Sequence, residues 1–383
     1  MKISDKTMKI VDKEQQKCIG CKVCMKGCPM LDKFCNSPKN LLKELLDNRT
    51  FDYKLPYSCM LCGYCTKVCP KDVDLKTLFL ELRRDTVEQN NGKLPKDLGT
   101  SAVDFHQKFS FSNLFTSNIE GMDGDTIFFP GCALMAYSPR IVQNTYNYLQ
   151  TKIPGIGIYT KCCGKPTGFM GKTEKFKEYY SILEKEFKDK NVKRIITGCQ
   201  NCFMTIGQNS KDIEVVSLWE ILSTLGIPDN KIGLGKSIDH EFTIHDPCPT
   251  RDIDVIHNSI RDIVSQIGLK TDEMKFNRGE TLCCGSGGMV PITENQIARV
   301  HMERRANEAE TEYIITYCQE CVESMRRGGK KSYHVLDLLF NDGFQGMKQE
   351  NQATIKKWTN RYKGKILISK GIREYAREVK YEK

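Results

Sequence analysis

Ile127-Phe128-Phe129-Pro130-Gly131-Cys132 opens a pattern of cysteines that the chain uses twice. An adjacent pair follows at Cys162 and Cys163, and Cys199 and Cys202 close the set with Cys-x-x-Cys spacing. The same order returns at Cys248, then Cys283 and Cys284, then Cys318 and Cys321. Matching cysteines are displaced by 116 residues at the first position, 121 at the pair and 119 at the last two, which makes this a duplicated unit of about domain size. Two matching sets of thiols are a metal-site signal.

Around each set, short β-branched and aromatic runs alternate with helical stretches, the pattern of an α/β layer with a mostly parallel sheet. The first copy offers strands at 126–129, 156–160, 194–197 and 214–217, and the second at 241–245, 280–282, 313–316 and 333–336. The cysteines then fall just after strand ends, where open α/β sheets place their ligands. Ser138 and Pro139 start a helix with Ile141, Val142, Tyr146 and Leu149 on one face, and Phe176, Tyr180 and Leu183 mark another within 175–187.

The chain has 383 residues, 39% of them hydrophobic and 28% charged, enough for two or three cores in an ordinary globular protein. Nineteen cysteines are the anomaly. Met1 to Asp12 has no apolar stretch of signal-peptide length, and nowhere do about eighteen apolar residues run together. A cytoplasmic protein without a transmembrane segment is expected, with a partner or the basic tail as the routes by which it could meet a membrane. In a reducing compartment so many thiols are metal ligands or redox groups and not a disulfide framework.

The formal charge of +10 counts every cysteine as neutral. Eighteen thiolates and four clusters of roughly +2 each would contribute about −10, bringing the loaded protein near neutrality. The excess that remains is local, since residues 351–383 hold ten Lys or Arg against three Glu. That tail reads first as a solvated helix or loop, and second as a surface docking an acidic partner or a membrane. Trp358, Tyr362 and Tyr375 are too sparse to argue for nucleic acid.

Toward the N-terminus, Cys18-Ile-Gly-Cys21-Lys-Val-Cys24-Met-Lys-Gly-Cys28-Pro29 matches the run that wraps a 4Fe-4S cube, with its fourth thiolate given to a second cube. A second run follows at Cys59, Cys62, Cys65 and Cys69, before Pro70. Crossed ligation predicts one cube on Cys18, Cys21, Cys24 and Cys69 and another on Cys59, Cys62, Cys65 and Cys28. A pair of zinc sites is the competing reading, and two complete runs each ending in Cys-Pro speak against it. Between the runs, Ser37 and Pro38 precede Leu41, Leu42, Leu45 and Leu46 at helical spacing, and Leu75, Leu78, Phe79 and Leu82 repeat that spacing afterwards. The insert is therefore helical. This part resembles the helical ferredoxin domain of fumarate reductase iron-sulfur subunits and of heterodisulfide reductases. Residues 88–125, with Phe105, Phe109, Phe111 and Phe115 between Asn-Gly and Gly-rich ends, read as a connector whose aromatics pack on a neighbouring domain.

The motif Cys-xn-Cys-Cys-Gly-xn-Cys-x-x-Cys, with Gly164 and Gly285 after the two pairs, resembles the cysteine-rich CCG domain. Phe129-Pro130-Gly131-Cys132, His245-Asp246-Pro247-Cys248 and Thr316-Tyr317-Cys318-Gln319-Glu320-Cys321 also look like that family. Two such units behind a helical two-cluster ferredoxin domain are similar to the D-type chain of heterodisulfide reductase over about residues 10–345. The expected architecture is an α+β multidomain chain: a helical ferredoxin domain (1–87), a connector (88–125), a first CCG domain (126–235), a second (236–345) and a basic tail (346–383).

The resemblance implies two non-cubane 4Fe-4S clusters in addition to the two cubane clusters. One would use Cys132, Cys162, Cys163, Cys199 and Cys202, and the other Cys248, Cys283, Cys284, Cys318 and Cys321, with a disulfide cleaved between them. Only Cys35 is left over, and it reads as a small buried hydrophobe. A five-thiolate set has one ligand more than a cube needs, and glycines at 164 and in Gly285-Ser286-Gly287-Gly288 let the backbone approach closely. The first copy has 29 residues between Cys132 and Cys162 against 34 between Cys248 and Cys283, read as a shortened helix beside the first site.

The function implied is an iron-sulfur oxidoreductase component that takes electrons from a donor or flavin-containing partner and reduces a disulfide to thiols. The alternative, also implied by CCG relatives, is the electron-carrying iron-sulfur component of a flavin-dependent hydroxy acid or glycerol-3-phosphate dehydrogenase. Two complete sets favour the thiol chemistry. No FAD or NAD site is visible: Met170-Gly171-Lys172-Thr173 has Pro166 where a phosphate loop needs glycine, and Gly285-Ser286-Gly287-Gly288 lacks the dinucleotide fingerprint. His245 could pass a proton to a leaving thiolate or simply be structural; the other histidines carry no signal. A zinc scaffold would explain the Cys-x-x-Cys pairs but neither adjacent pair.

Overall fold

The computed structural model describes residues 1–381, so Glu382 and Lys383 of the basic tail lie outside the described residues. The N-terminal part is helical, as its leucine spacing requires. Helices Asp5–Lys17, Pro38–Asn48 and Leu75–Gln89 bury Val11, Leu41, Leu42, Leu45, Leu78, Phe79 and Leu82 in one core. Ser37 caps the middle helix by accepting the Asn40 N–H, and Pro38 sits at the first position, where its missing N–H costs nothing.

Two four-stranded parallel sheets follow. β1 (Thr126–Phe129), β2 (Gly157–Ile158), β3 (Arg194–Thr197) and β4 (Glu214–Ser217) are ordered β2-β1-β3-β4. β5 (Glu241–His245), β6 (Lys270–Glu273), β7 (Tyr313–Thr316) and β8 (Lys331–His334) repeat that order as β6-β5-β7-β8. The central strands are buried because helices cover both faces.

Three expectations are corrected here. Residues 280–282 are not a strand; the second edge strand is β6, whose polar Lys-Thr-Asp-Glu sequence gives no hydrophobic signal because it lies exposed at the sheet edge. The last strand ends at His334, and Val335–Phe340 is a helix that His334 and Asp337 cap reciprocally. The spacing difference between copies shortens no helix: Pro139–Lys152 and Asp254–Ile267 both have 14 residues. The second copy's extra length falls instead between β6 and Cys283, in a loop with a 3-10 turn at Arg278–Glu280. That loop packs against Tyr64–Lys67 of the helical domain.

The two units share one apolar core, from Phe128 and Ile196 of the first sheet to Phe242, Ile244 and Ile315 of the second. The helical domain shares another with the second unit, through Val290, Ile297, Ala298 and Met302. The basic tail is not a solvated appendage. Helix Thr354–Tyr381 lies on Cys132–Tyr137 and Pro139–Lys152, and Asn360 Nδ2 donates to the Ala136 and Tyr137 carbonyls at 2.8 and 3.2 Å. Its Trp358 is ringed by connector aromatics Phe105, Phe109 and Phe115, with centroids 6.2, 6.1 and 4.8 Å away. Among the described residues, no helix is long and apolar enough to cross a membrane.

Candidate metal centres

Both N-terminal cysteine runs fold into loops with two left-handed residues each, Gly20 (φ 74°) and Lys22 (φ 60°) in the first, Leu61 (φ 52°) and Gly63 (φ 74°) in the second. Turns of this kind point backbone N–H groups inward and form a nest suited to an anionic inorganic core. The structure gathers Cys28, Cys59, Cys62 and Cys65 around one cavity and Cys18, Cys21, Cys24 and Cys69 around a second, with Cys65 lining both. Cys28 thus joins the opposite run, and Cys69 returns to the first.

Four of the thiols in these cavities resist ionisation. Burial, reinforced by neighbouring thiols, pushes Cys24 and Cys59 up to about 12 and raises Cys28 and Cys65 as well. Thiolates crowded in this way need a bound cation to carry their charge, so the donor set fits a metal cluster and little else. All nineteen cysteines are unbridged. Cys35 stands apart, half-buried, its Sγ 3.3 Å from the Leu31 carbonyl.

Each five-cysteine set also comes together. Cys132 Sγ is 3.6 Å from Cys162 Sγ, and Cys163 and Cys199 both contact Cys202. In the second unit Cys283 contacts Cys248 and Cys284, and Cys321 Sγ is 3.3 Å from Cys284 Sγ and beside Cys318. The first cysteine of each set follows the strand β1 or β5, and the Cys-x-x-Cys opens a helix after β3 or β7. Gly131 precedes Cys132 at φ 84°, and a Cβ there would come within 2.7 Å of the Cys199 Cβ, so only glycine fits.

The sets face one another. The helix Gln200–Asn209 packs on the turn bearing Cys248, and Cys132 feels the charge of Glu320 in the second unit's Cys-x-x-Cys. Lys165, directly after the first Cys-Cys-Gly, is near enough to Cys163 and Cys199 of its own set and to Cys248 of the other for its charge to act on all three. The second set also meets the helical domain: Cys283 is buried in the cluster against which Cys62 packs, and its closeness lowers the Cys62 thiol pKa.

Several buried groups surround the sulfur atoms. His245 is fully buried, and its Nδ1 accepts from Arg305 Nε at 3.0 Å, which leaves the proton on Nε2. His245, Cys284 and Cys321 have ligand atoms within 4.8 Å of one another. Burial and the Arg305 charge keep the ring neutral. Arg83, buried in the helix Leu75–Gln89, donates to Pro56, Phe169, Gly288 and Cys59 carbonyls at 2.9, 2.6, 2.8 and 2.7 Å, tying the helical domain to the glycine-bearing loops of both units. His301 lines the cavity of Cys28, Cys59, Cys62 and Cys65. Sequence reasoning overlooked Lys165, Arg83 and His301. Only Lys165 had a local signal, its position immediately after Cys-Cys-Gly; Arg83 and His301 make their contacts across domain boundaries, with residues far away in sequence.

Comparison with known proteins agrees with this layout. A family model described as a 4Fe-4S dicluster domain matches residues 17–74, and one described as a cysteine-rich domain matches 126–207 and 242–326. An uncharacterized iron-sulfur protein of Methanococcus maripaludis is 27% identical, the match covering 84% of this chain and 67% of that one. The D-type chain of the dihydromethanophenazine:CoB–CoM heterodisulfide reductase of Methanosarcina mazei is 25% identical over 76% of this chain and 75% of its own. The B-type chain of the fumarate reductase (CoM/CoB) of Methanothermobacter marburgensis is 24% identical over 88% of this chain and 71% of its own.

Proposed function

From the premise that this chain is an iron-sulfur protein of the D-type heterodisulfide reductase family, we propose that it reduces a disulfide to two thiols between its two five-cysteine sets. The reaction consumes two electrons and two protons, the electrons coming from a partner protein. The observation that carries this reading is that Cys283 of the second five-cysteine set is buried in the same cluster against which Cys59, Cys62 and Cys65 pack, which joins the second four-cysteine cavity to that set.

Two cubane clusters are assigned to the crossed four-cysteine sets, and two non-cubane clusters to Cys132, Cys162, Cys163, Cys199, Cys202 and to Cys248, Cys283, Cys284, Cys318, Cys321. When bound, they supply one-electron steps and affinity for thiolate sulfur. The protein's own groups do the rest. Gly131 and the pair-following glycines bring backbone close to the sulfur atoms. Lys165 brings a positive charge within reach of both sets, where a cleaved disulfide gains negative charge. His245 presents its Nε2–H toward Cys284, held in that tautomer by Arg305.

The test is iron and sulfide content of anaerobically prepared protein, with EPR spectra recorded before and after adding thiols. About sixteen irons per chain and a thiol-dependent signal are expected. About eight to twelve irons without a thiol response would identify an electron-carrying component of a flavin-dependent dehydrogenase instead. Cys283→Ser should abolish turnover and leave the cubane spectrum intact; surviving turnover would remove the second set from the reaction.

A further inference from the structure

His301 belongs to the second cysteine-rich unit, on the helix Asn295–Asn307, yet its side chain lines the cavity formed by Cys28, Cys59, Cys62 and Cys65 of the helical domain. It is 2% exposed, and neither ring nitrogen has a hydrogen-bond partner in the protein. A buried imidazole with both nitrogens unpaired is costly, and such groups persist where an absent partner completes them. The helix is held there by packing, with Ala298 and Met302 buried in the core shared with the helical domain. The residue also backs onto the loop of the second adjacent pair: a Cβ on Gly285 would lie 3.1 Å from the His301 Cβ. An imidazole carries at least one N–H whether neutral or protonated, so the ring can donate.

We propose that His301 is a positioning residue that donates its ring N–H to a sulfur of the cluster held by Cys28, Cys59, Cys62 and Cys65, and thereby raises that cluster's reduction potential. The inference rests on the cubane assignment made above. An N–H donated to sulfur stabilises the extra negative charge of the reduced state more than the oxidised state, which moves the potential upward. Because the ring comes from the unit that carries Cys283, the tuning depends on the docking of the two domains. The cluster would then be poised for exchange with the second set only in the assembled protein.

Redox titration of the full chain followed by cubane EPR tests this. In His301→Leu, the reduced-to-oxidised ratio of one of the two cubes at a fixed potential should fall about tenfold, equivalent to about 59 mV for a one-electron couple. His301→Gln, which keeps an N–H, should recover most of the loss. An unchanged ratio in His301→Leu, with both cubes loaded, would overturn the proposal. Pulsed EPR on unmutated protein labelled with 15N-histidine gives a readout that needs no variant. Weak nitrogen coupling to a reduced cube is expected, and its absence, or coupling confined to another cluster's signal, would overturn the proposal. These readouts need a cube but no disulfide turnover. An electron-carrying component would therefore still show the shift, whereas a chain with no cube signal would lose the cubane assignment and this inference together.

Discussion

Asp246, two residues before Cys248, shows how a single side chain fixes a ligand loop. Its carboxylate accepts from Arg261 Nη1 and Nη2 at 2.6 and 2.8 Å, from the Arg278 N–H at 2.7 Å and from the Tyr317 hydroxyl at 2.9 Å. Burial alone would raise its pKa, but the Arg261 hydrogen bonds and charge overcome it and hold the group down to about 2. The sign follows directly. A carboxylate depressed below its unfolded value of about 3.9 stabilises the fold above that pH, and the stabilisation is lost as pH falls through about 2. Asp246→Asn is therefore expected to cost about 3–5 kcal/mol at neutral pH, because Arg261 keeps only the exposed Glu273 as a charged partner, with the His257 carbonyl beside it. Denaturant unfolding at pH 7 and at pH 2 to 4 measures this, and the gap between variant and parent should narrow at the acid end.

Among the secondary-structure elements, Thr354–Tyr381 departs furthest from its sequence reading. Composition marks a basic, solvated stretch, and the exposed lysines along it agree. Its other face carries Trp358, Asn360, Arg361 and Ile368, which fit a groove made by the connector and the first unit. Arg361 donates to Ser110 Oγ at 2.6 Å and lies over the Trp358 ring at 4.6 Å, so a residue counted as surface charge is 4% exposed. Asn360→Ala should lower unfolding free energy by about 1–3 kcal/mol, since it takes its donor from the buried Ala136 carbonyl and leaves the Tyr137 carbonyl with Gln352 Nε2. Chemical denaturation against the parent protein checks it. A change within about 0.5 kcal/mol would mean that water replaces the asparagine. The edge strand β6 makes the complementary point: its hydrogen bonds to β5 override a polar sequence that no propensity rule reads as a strand.

For the molecule as a whole, charge and cluster content are linked. The chain carries a formal +10 with thiols neutral, and four clusters on eighteen thiolates would offset it by about −10. Native electrophoresis near pH 7 should show the iron-free protein moving as a strong cation and the loaded protein barely moving. Equal mobility of both forms would contradict the proposed ligand count. The exposed Lys67 to Asp252 pair at the domain junction, 2.7 Å long, should contribute under about 1 kcal/mol. Buried Arg83 and the shared core hold that junction instead.

The sequence alone determined the repeated unit, the two four-cysteine runs, most strands of the two sheets and the helical nature of the N-terminal domain. These are short-range properties. Spacing within a turn, period along a helix and alternation with β-branched runs act over a few residues, so Cys18-x-x-Cys21 or Leu41, Leu42 and Leu45 announce themselves without any partner. Only the tertiary structure decided that Cys283 is buried in the cluster against which Cys62 packs, that Lys165 comes within reach of both sets, that Arg83 ties three segments through four carbonyls, and that His301 enters another domain's cavity. Each of these brings together residues that are distant along the chain. Their positions follow from which buried surfaces pack together, and that is a property of assembled domains that no local pattern encodes.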